Sequence, residues 1–290
     1  LSVVPEVTSI NQEILAHLSR ADAVLGGLIR AVGPCKLDPP EDCHPFQVLA
    51  QAIAHQQLNG TAANTILKRL IDSCGQGTFP TPHLVLQASV ESLRAAGFSF
   101  AKVAALKDLA AKTLAAVVPD GAALMQLSDE QIIARLTQVR GIGRWTVEML
   151  LIFQLRRPDV LPVDDFGVRS GFRAAYGLAR MPRPKALALW GERWKPFRTT
   201  AAWYLWRALE MERAGTLPAP AERIRLPRLK KRRRAARPAP ARKAARRKPR
   251  AGMAVHARRT STGAPGAARS APRGQRARKA GKARKARKAR

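Results

Sequence analysis

Cysteine is scarce in this 290-residue sequence: Cys35, Cys43 and Cys74 are the only three. They are too few for a disulfide framework and lack the short repeated spacing of a zinc or iron–sulfur site, so they read as reduced, buried thiols. Long apolar runs are missing too. No stretch of about 18 uninterrupted apolar residues appears, which argues against a helical membrane span. The opening, Leu1 to Leu18, has neither a basic start nor a compact apolar block, so no signal peptide is expected and an intracellular protein is. The first residue is not Met, which leaves the true start open. Acidic residues are absent from one whole region: none of the 20 Asp and Glu lies after residue 222, whereas 28 of the 52 Lys and Arg do. The formal charge of +32 therefore divides into a body, 1–222, at +4 and a tail, 223–290, at +28. A single uniformly basic domain is excluded, and a polyanion comes first among expected partners.

The tail is Arg, Lys, Ala and Pro, with Lys230 to Arg234 an unbroken basic run and a Lys/Ala/Arg triplet repeated to Arg290. Like-charge repulsion and the shortage of large apolar residues predict a disordered segment. Its charge suits sequence-blind, salt-sensitive binding to nucleic acid through counterion release. The body reads as all-α. Segments near 9–32, 46–72, 88–96, 101–117, 129–139, 144–156, 166–176, 184–193 and 198–213 carry apolar residues at helical spacing. Gly and Pro punctuate them. Ser128 with Gln131 three positions on is a capping-box pattern, and Leu127 with Ile132 is placed as a hydrophobic staple.

The chemistry is concentrated in two neighbouring stretches. Leu136 to Val147 runs a helix into a turn with Gly141 and Gly143, and a second helix starts at once beside Arg144 and Thr146. The glycines allow positive φ and close backbone approach, and the exposed N–H groups suit a phosphate; an ordinary αα-hairpin turn would look similar. Next comes Pro158–Asp159–Val160–Leu161–Pro162–Val163–Asp164–Asp165–Phe166. Two prolines force an extended loop, and two acids precede a new helix. One acid suffices as its cap, which leaves the other for a different role.

These blocks resemble the helix-hairpin-helix DNA glycosylases whose Gly/Pro-rich loop ends in a catalytic Asp, and most closely the alkylbase branch, 3-methyladenine DNA glycosylase II. The similarity spans most of residues 10–213. It is carried by Leu-x-x-Val-x-Gly-Ile-Gly-Arg-Trp-Thr followed by Leu-Pro-x-Asp-Asp, by Phe46 through Ala63 with Ala52-Ile53-Ala54-His55-Gln56-Gln57-Leu58, and by Trp203-Tyr204-Leu205-Trp206. The resemblance implies an all-α, two-lobed fold, one lobe mainly from 46–160 and the other from the N-terminal helix plus 165–215, with the substrate cleft between them. It implies that Asp165 is the catalytic carboxylate, stabilising oxocarbenium character on the sugar as an alkylated base departs, with Asp164 a cap or a neighbouring charge.

Lyase-active relatives place a Lys immediately after the residue that is Arg144 here. This chain has Trp145, and an indole cannot form a Schiff base, so a monofunctional enzyme is expected. Trp145, Met149 and Trp206 would line the base pocket, although Trp145 and Trp206 could also be core residues. Gln56, Gln57, Leu58, Gly141, Gly143, Arg144 and Thr146 would meet DNA, with Gln57 or Leu58 filling the gap left by the flipped base. His55 reads as a packing residue rather than a base. No cofactor is required, but the carbonyls of Thr137, Val139 and Ile142 could hold a monovalent cation, Na+ or K+, that bridges to a DNA phosphate. The four closely spaced iron–sulfur cysteines that some relatives carry after the body do not occur in this sequence, and with the first apolar helix near Ile10 the extra β-rich N-terminal domain of other relatives is not expected. The implied partner is double-stranded DNA with alkylated bases, met by a monomer in the cytoplasm or wherever the cell keeps its DNA. Two rival readings stand: a glycosylase for uracil, mismatched or oxidised bases on the same fold, and a non-catalytic, histone-like DNA-compaction protein.

Overall fold

The computed structural model describes residues 4–37 and 43–220 together with Ile224 and Leu226. The remainder of the segment expected to be a disordered tail lies outside the described residues. These contain α1 (Val4–Ala21), α2 (Ala23–Val32), α3 (Pro45–His55), α4 (Gly60–Cys74), α5 (Pro82–Gln87), α6 (Val90–Ala95), α7 (Phe100–Leu114), α8 (Gly121–Met125), α9 (Asp129–Leu136), α10 (Arg144–Phe153), α11 (Phe166–Ala175), α12 (Pro184–Gly191), a 3-10 turn (Glu192–Trp194) and α13 (Arg198–Ala214). No strand occurs among the described residues, and no helix among them is long and apolar enough to cross a membrane.

Local chemistry sets most helix starts. Asn59, Thr81, Ser89, Ser99, Asp120 and Ser128 each sit in extended backbone and accept an N–H of the following first turn. At α9 the box is complete. Gln131 N–H donates to Ser128 Oγ at 3.2 Å, and Ser128 N–H donates to Gln131 Oε1 at 2.9 Å. Leu127 and Ile132 both pack into the core behind it.

Two expected helices are in fact pairs. The stretch 9–32 breaks at Asp22, whose carboxylate accepts from Val24 N and Leu25 N and so starts α2. The stretch 46–72 breaks at residues 56–59, where Gln57 adopts a left-handed φ of 58° and Asn59 caps α4. Helices α5 and α8, of 6 and 5 residues, lie outside the expected segments because they are too short to display a helical repeat.

Two hydrophobic cores result. One gathers buried side chains from α3 to α10 and ends at Val160. The other joins α1 and α2 to α11, α12 and α13, with Phe172, Tyr176, Trp190 and Trp194 at its centre. Asp22 is buried in that aromatic centre. Its Oδ2 accepts from Tyr176 Oη at 2.6 Å, Trp190 Nε1 at 3.0 Å and Trp194 Nε1 at 3.1 Å. Burial first, and then the Asp22 charge, push the Tyr176 hydroxyl well above its ordinary range, which keeps it a donor. Ile224 and Leu226 pack against this second core, so the core uses residues beyond 222.

Candidate active site

The hairpin between α9 and α10 is anchored from below and open above. Val139 and Ile142 are buried in the first core, each side chain worth roughly 1.5–3 kcal/mol when removed from water. Asp108 on α7 accepts from Arg140 N and from Lys112 Nζ, both at 2.7 Å, and Lys112 also donates to Gln138 O. Desolvation raises the Asp108 carboxyl, but the Arg140 N–H and Lys112 outweigh it and hold the acid below its usual range.

The two glycines do different jobs. Gly141 has φ +79°, a left-handed conformation that Gly tolerates best. Gly143 does not have the positive φ expected of it: it caps α10 at φ −99° and ψ 170°, and a Cβ there would meet nothing within 4 Å. No side chain caps α10, so the first N–H groups of that helix have no side-chain acceptor at the cap. Arg144 is exposed beside them, held by Glu148 at 2.8 Å. Glu148 is buried, and desolvation raises its carboxyl despite the opposing Arg144 contact.

The loop from Arg157 to Asp165 is pinned by both halves of the body. Arg157 Nη2 donates to the carbonyls of Leu124, Met125 and Leu127 beside α8. From α13, Arg198 grips Asp159 with two N–H groups at 2.7 and 2.9 Å. Thr199 Oγ1 donates to Arg157 O and accepts from Val160 N. The loop delivers Asp165 to the start of α11.

Asp165 is buried, and three N–H groups define its carboxylate. Oδ1 accepts from Val168 N at 2.7 Å and from Trp206 Nε1 at 2.9 Å, and Oδ2 accepts from Trp145 Nε1 at 2.7 Å. Asp165 is therefore itself the cap of α11, so of the two roles expected of Asp164, a cap or a neighbouring charge, the first falls to Asp165, and Asp164 is exposed. Such a carboxylate is fixed in orientation, and an acid so held can stabilise positive charge beside it.

Trp145 also forms part of a cavity of about 530 Å³ between α3 and α10. Met149, Leu150 and Phe153 continue its wall along α10, opposite Val48, Leu49, Ala52 and His55 on α3. Gln56, Gln57 and Thr146 also line it. His55, expected to pack, is exposed at the end of α3 and borders this cavity. Trp206, expected as a pocket wall, is not among the lining residues. It stacks on Phe153, which is, with ring centroids 5.6 Å apart. Trp203 and Tyr204 belong to the second core. A larger cavity, about 610 Å³, lies by Phe46, Phe79 and Val118; it shares none of the Asp165 contacts, and its one acid, Asp120, caps α8.

Gln56 Nε2 donates to Gly141 O at 2.8 Å, joining the loop of Gln57 and Leu58 to the hairpin. Both Gln57 and Leu58 are exposed. The carbonyls of Thr137 and Ile142 take no backbone donor among the described residues, and that of Val139 accepts from Ile142 N at 3.0 Å, leaving a lone pair. This donor set of neutral oxygens fits a weakly held monovalent cation better than a divalent one.

Sequence reasoning missed Glu148, Asp108, Lys112, Phe153 and the Arg157, Arg198 and Thr199 pins. Glu148 had a signal, since it follows Arg144 by four positions on a helix. Asp108 and Lys112 show the same spacing on α7, but their bonds to the hairpin, like the contacts of the others, reach partners distant in sequence.

The family described as HhH-GPD superfamily base excision DNA repair protein matches residues 50–196. The DNA-3-methyladenine glycosylase 1 of Schizosaccharomyces pombe is 40% identical over 208 residues, covering 69% of this chain and 91% of that protein. The structure of the S. pombe 3-methyladenine DNA glycosylase in complex with abasic DNA superposes with a TM-score of 0.60 at 41% identity, covering 67% of this chain and 95% of that one. A DNA-3-methyladenine glycosidase from Bacillus halodurans superposes with a TM-score of 0.63 at 32% identity, covering 69% and 91%.

Proposed function

Because the chain belongs to the HhH-GPD superfamily of base excision DNA repair proteins, we propose that it hydrolyses the N-glycosidic bond of alkylated purines of the 3-methyladenine type in duplex DNA, as a monomer and without lyase activity. One observation carries the reading: Trp145 both walls the cavity and holds Asp165 Oδ2 at 2.7 Å, so a base in that cavity places its sugar beside the carboxylate.

Alkylation makes the purine cationic and a good leaving group. The C1′–N bond breaks, its electron pair leaves with the base, and the sugar takes on positive charge that the Asp165 anion offsets. Water then bonds to C1′, and its proton passes to the carboxylate or to solvent. The exposed face of Trp145 suits an electron-poor ring. No amine stands at that position to form a Schiff base, so the product is an intact abasic strand. Duplex DNA would lie across Gly143, Arg144 and the N-terminus of α10, with Gln57 or Leu58 filling the vacated stack. A monovalent cation on the Thr137, Val139 and Ile142 carbonyls would add a positive charge facing a phosphate there.

The deciding experiment is single-turnover base release from a duplex carrying randomly methylated purines. Release of 3-methyladenine or 7-methylguanine, leaving unbroken abasic strands, is expected. Strand cleavage at the site, or release only from uracil- or oxidised-base duplexes, would overturn the proposal.

Two further results follow from the DNA-facing surface. Gly141→Ala forces a side chain onto left-handed backbone and should cost about 1 kcal/mol or more of stability. Gly143→Ala should leave stability within about 0.5 kcal/mol yet weaken DNA binding, because the open space over Gly143 is where a strand would approach. Thermal melts and binding titrations on the two variants separate these effects. Removing residues 227–290, which spares Ile224 and Leu226, should flatten the salt dependence of DNA affinity. Each lost phosphate contact lowers the log–log slope by about 0.9; an unchanged slope would rule out the tail's electrostatic role.

A further inference from the structure

Gly167 stands in the first turn of α11, two residues after Asp165. Its backbone is helical rather than left-handed, so nothing in the main chain calls for glycine. Space does. A Cβ at position 167 would lie 2.7 Å from Trp206 Cδ1, 2.9 Å from Trp206 Nε1 and 3.1 Å from Asp165 Oδ1. The first two are closer than packed atoms approach, and the indole is an inflexible group confined by its stack on Phe153. Any side chain at 167 therefore displaces the Trp206 N–H from Asp165 Oδ1.

We propose that Gly167 and Trp206 act as a pair of positioning residues: the missing side chain at 167 admits the Trp206 indole, whose N–H fixes the second oxygen of the Asp165 carboxylate and whose ring backs Phe153 in the wall of the base cavity. Trp206 then serves the reaction through Asp165 and Phe153, not by touching the base. The hydrogen bond at 2.9 Å aims Oδ1 together with Val168 N, while Trp145 Nε1 restrains Oδ2. Removing one of three restraints leaves the carboxylate charged and present but loosely aimed, and misplacing a reacting group by about 1 Å can cost about 10²-fold in rate.

The inference rests on Asp165 being the catalytic carboxylate. The test compares Gly167→Ala, Trp206→Phe and the double variant in single-turnover excision at saturating DNA, with affinity for abasic DNA measured alongside. Gly167→Ala is expected to lose about 10²-fold in rate and Trp206→Phe about tenfold, both with abasic-DNA affinity unchanged. The double variant is expected to be no slower than the slower single variant, because an N–H already absent cannot be displaced. A loss caused by helix packing alone would instead multiply across the two substitutions and would lower affinity as well. Multiplying losses, or a Gly167→Ala rate within about twofold of wild type, would overturn the pairing. If Gly167→Ala shows no cooperative melt, Trp206→Phe decides alone: a slower rate with unchanged affinity supports the proposal, and a wild-type rate overturns it. Asp165→Asn separates the two levels. An inactive Asp165→Asn beside an active Gly167→Ala discards only the pairing, whereas an active Asp165→Asn discards the catalytic assignment beneath it.

Discussion

Asp165→Asn is expected to lower the single-turnover excision rate by about 10³-fold or more while leaving affinity for abasic DNA within about threefold. The geometry explains why the loss should be catalytic and not structural. Asn is as good a helix cap as Asp, and its carbonyl oxygen can keep the Val168 N–H and Trp206 Nε1 contacts that Oδ1 makes now. The amide nitrogen must then face Trp145 Nε1, donor against donor, where Oδ2 accepts at 2.7 Å today. The variant folds, but it loses the negative charge beside the sugar and loosens the indole over the cavity. A fully active Asp165→Asn would remove Asp165 from the mechanism. A variant that also failed to melt cooperatively would show that the charge, not only the cap, holds α11.

The second large effect is expected far from the chemistry. Asp22→Ala removes the cap of α2, worth about 1 kcal/mol. It also leaves the Tyr176 hydroxyl and the Trp190 and Trp194 N–H groups buried without the acceptor they share, at about 1 kcal/mol or more each. The sum is about 4 kcal/mol, a fall in Tm of about 10 °C for a domain of this size. Asp22→Asn should fall between, since its carbonyl oxygen can serve either the cap or the aromatic donors, whereas the amide nitrogen accepts nothing. Thermal melts decide the matter, and a shift below about 2 °C for Asp22→Ala would show that the site refills with another acceptor.

The same residue marks a limit of what could be read from the sequence. Asp22 lies within an unbroken apolar periodicity, so the stretch 9–32 reads as one helix; the cap that breaks it is local, but the donors that hold its other oxygen, on Tyr176, Trp190 and Trp194, lie more than 150 positions away. Ser128 was legible because its whole signal, Ser, Gln and the flanking staple, is local. The loop that carries Asp165 was legible for the same reason, as two prolines and two acids announce an extended segment entering a helix. What was not legible is which acid caps: both have the chemistry, and only the turn Asp165 N–H to Pro162 O selects the second. The roles of Gly141 and Gly143 were likewise indistinguishable as letters. Trp206 reads as either pocket or core, and its N–H on Asp165 is neither. The pins on the loop, Arg157, Arg198 and Thr199, bridge 30 to 42 positions and leave no periodic trace.

Gln56 Nε2 on Gly141 O has a mechanical consequence for how damage is sensed. On the proposed function, the loop presenting Gln57 and Leu58 and the turn presenting Gly143 and Arg144 would be two contact points on a duplex, and the direct bond ties the one to the other. A strand gripped at the turn would therefore present its base stack to the loop at a set distance, like a caliper with one jaw already closed. Undamaged, well-stacked DNA would resist the second jaw, and a weakened step would yield to it. Discrimination of that kind begins before any base reaches Asp165.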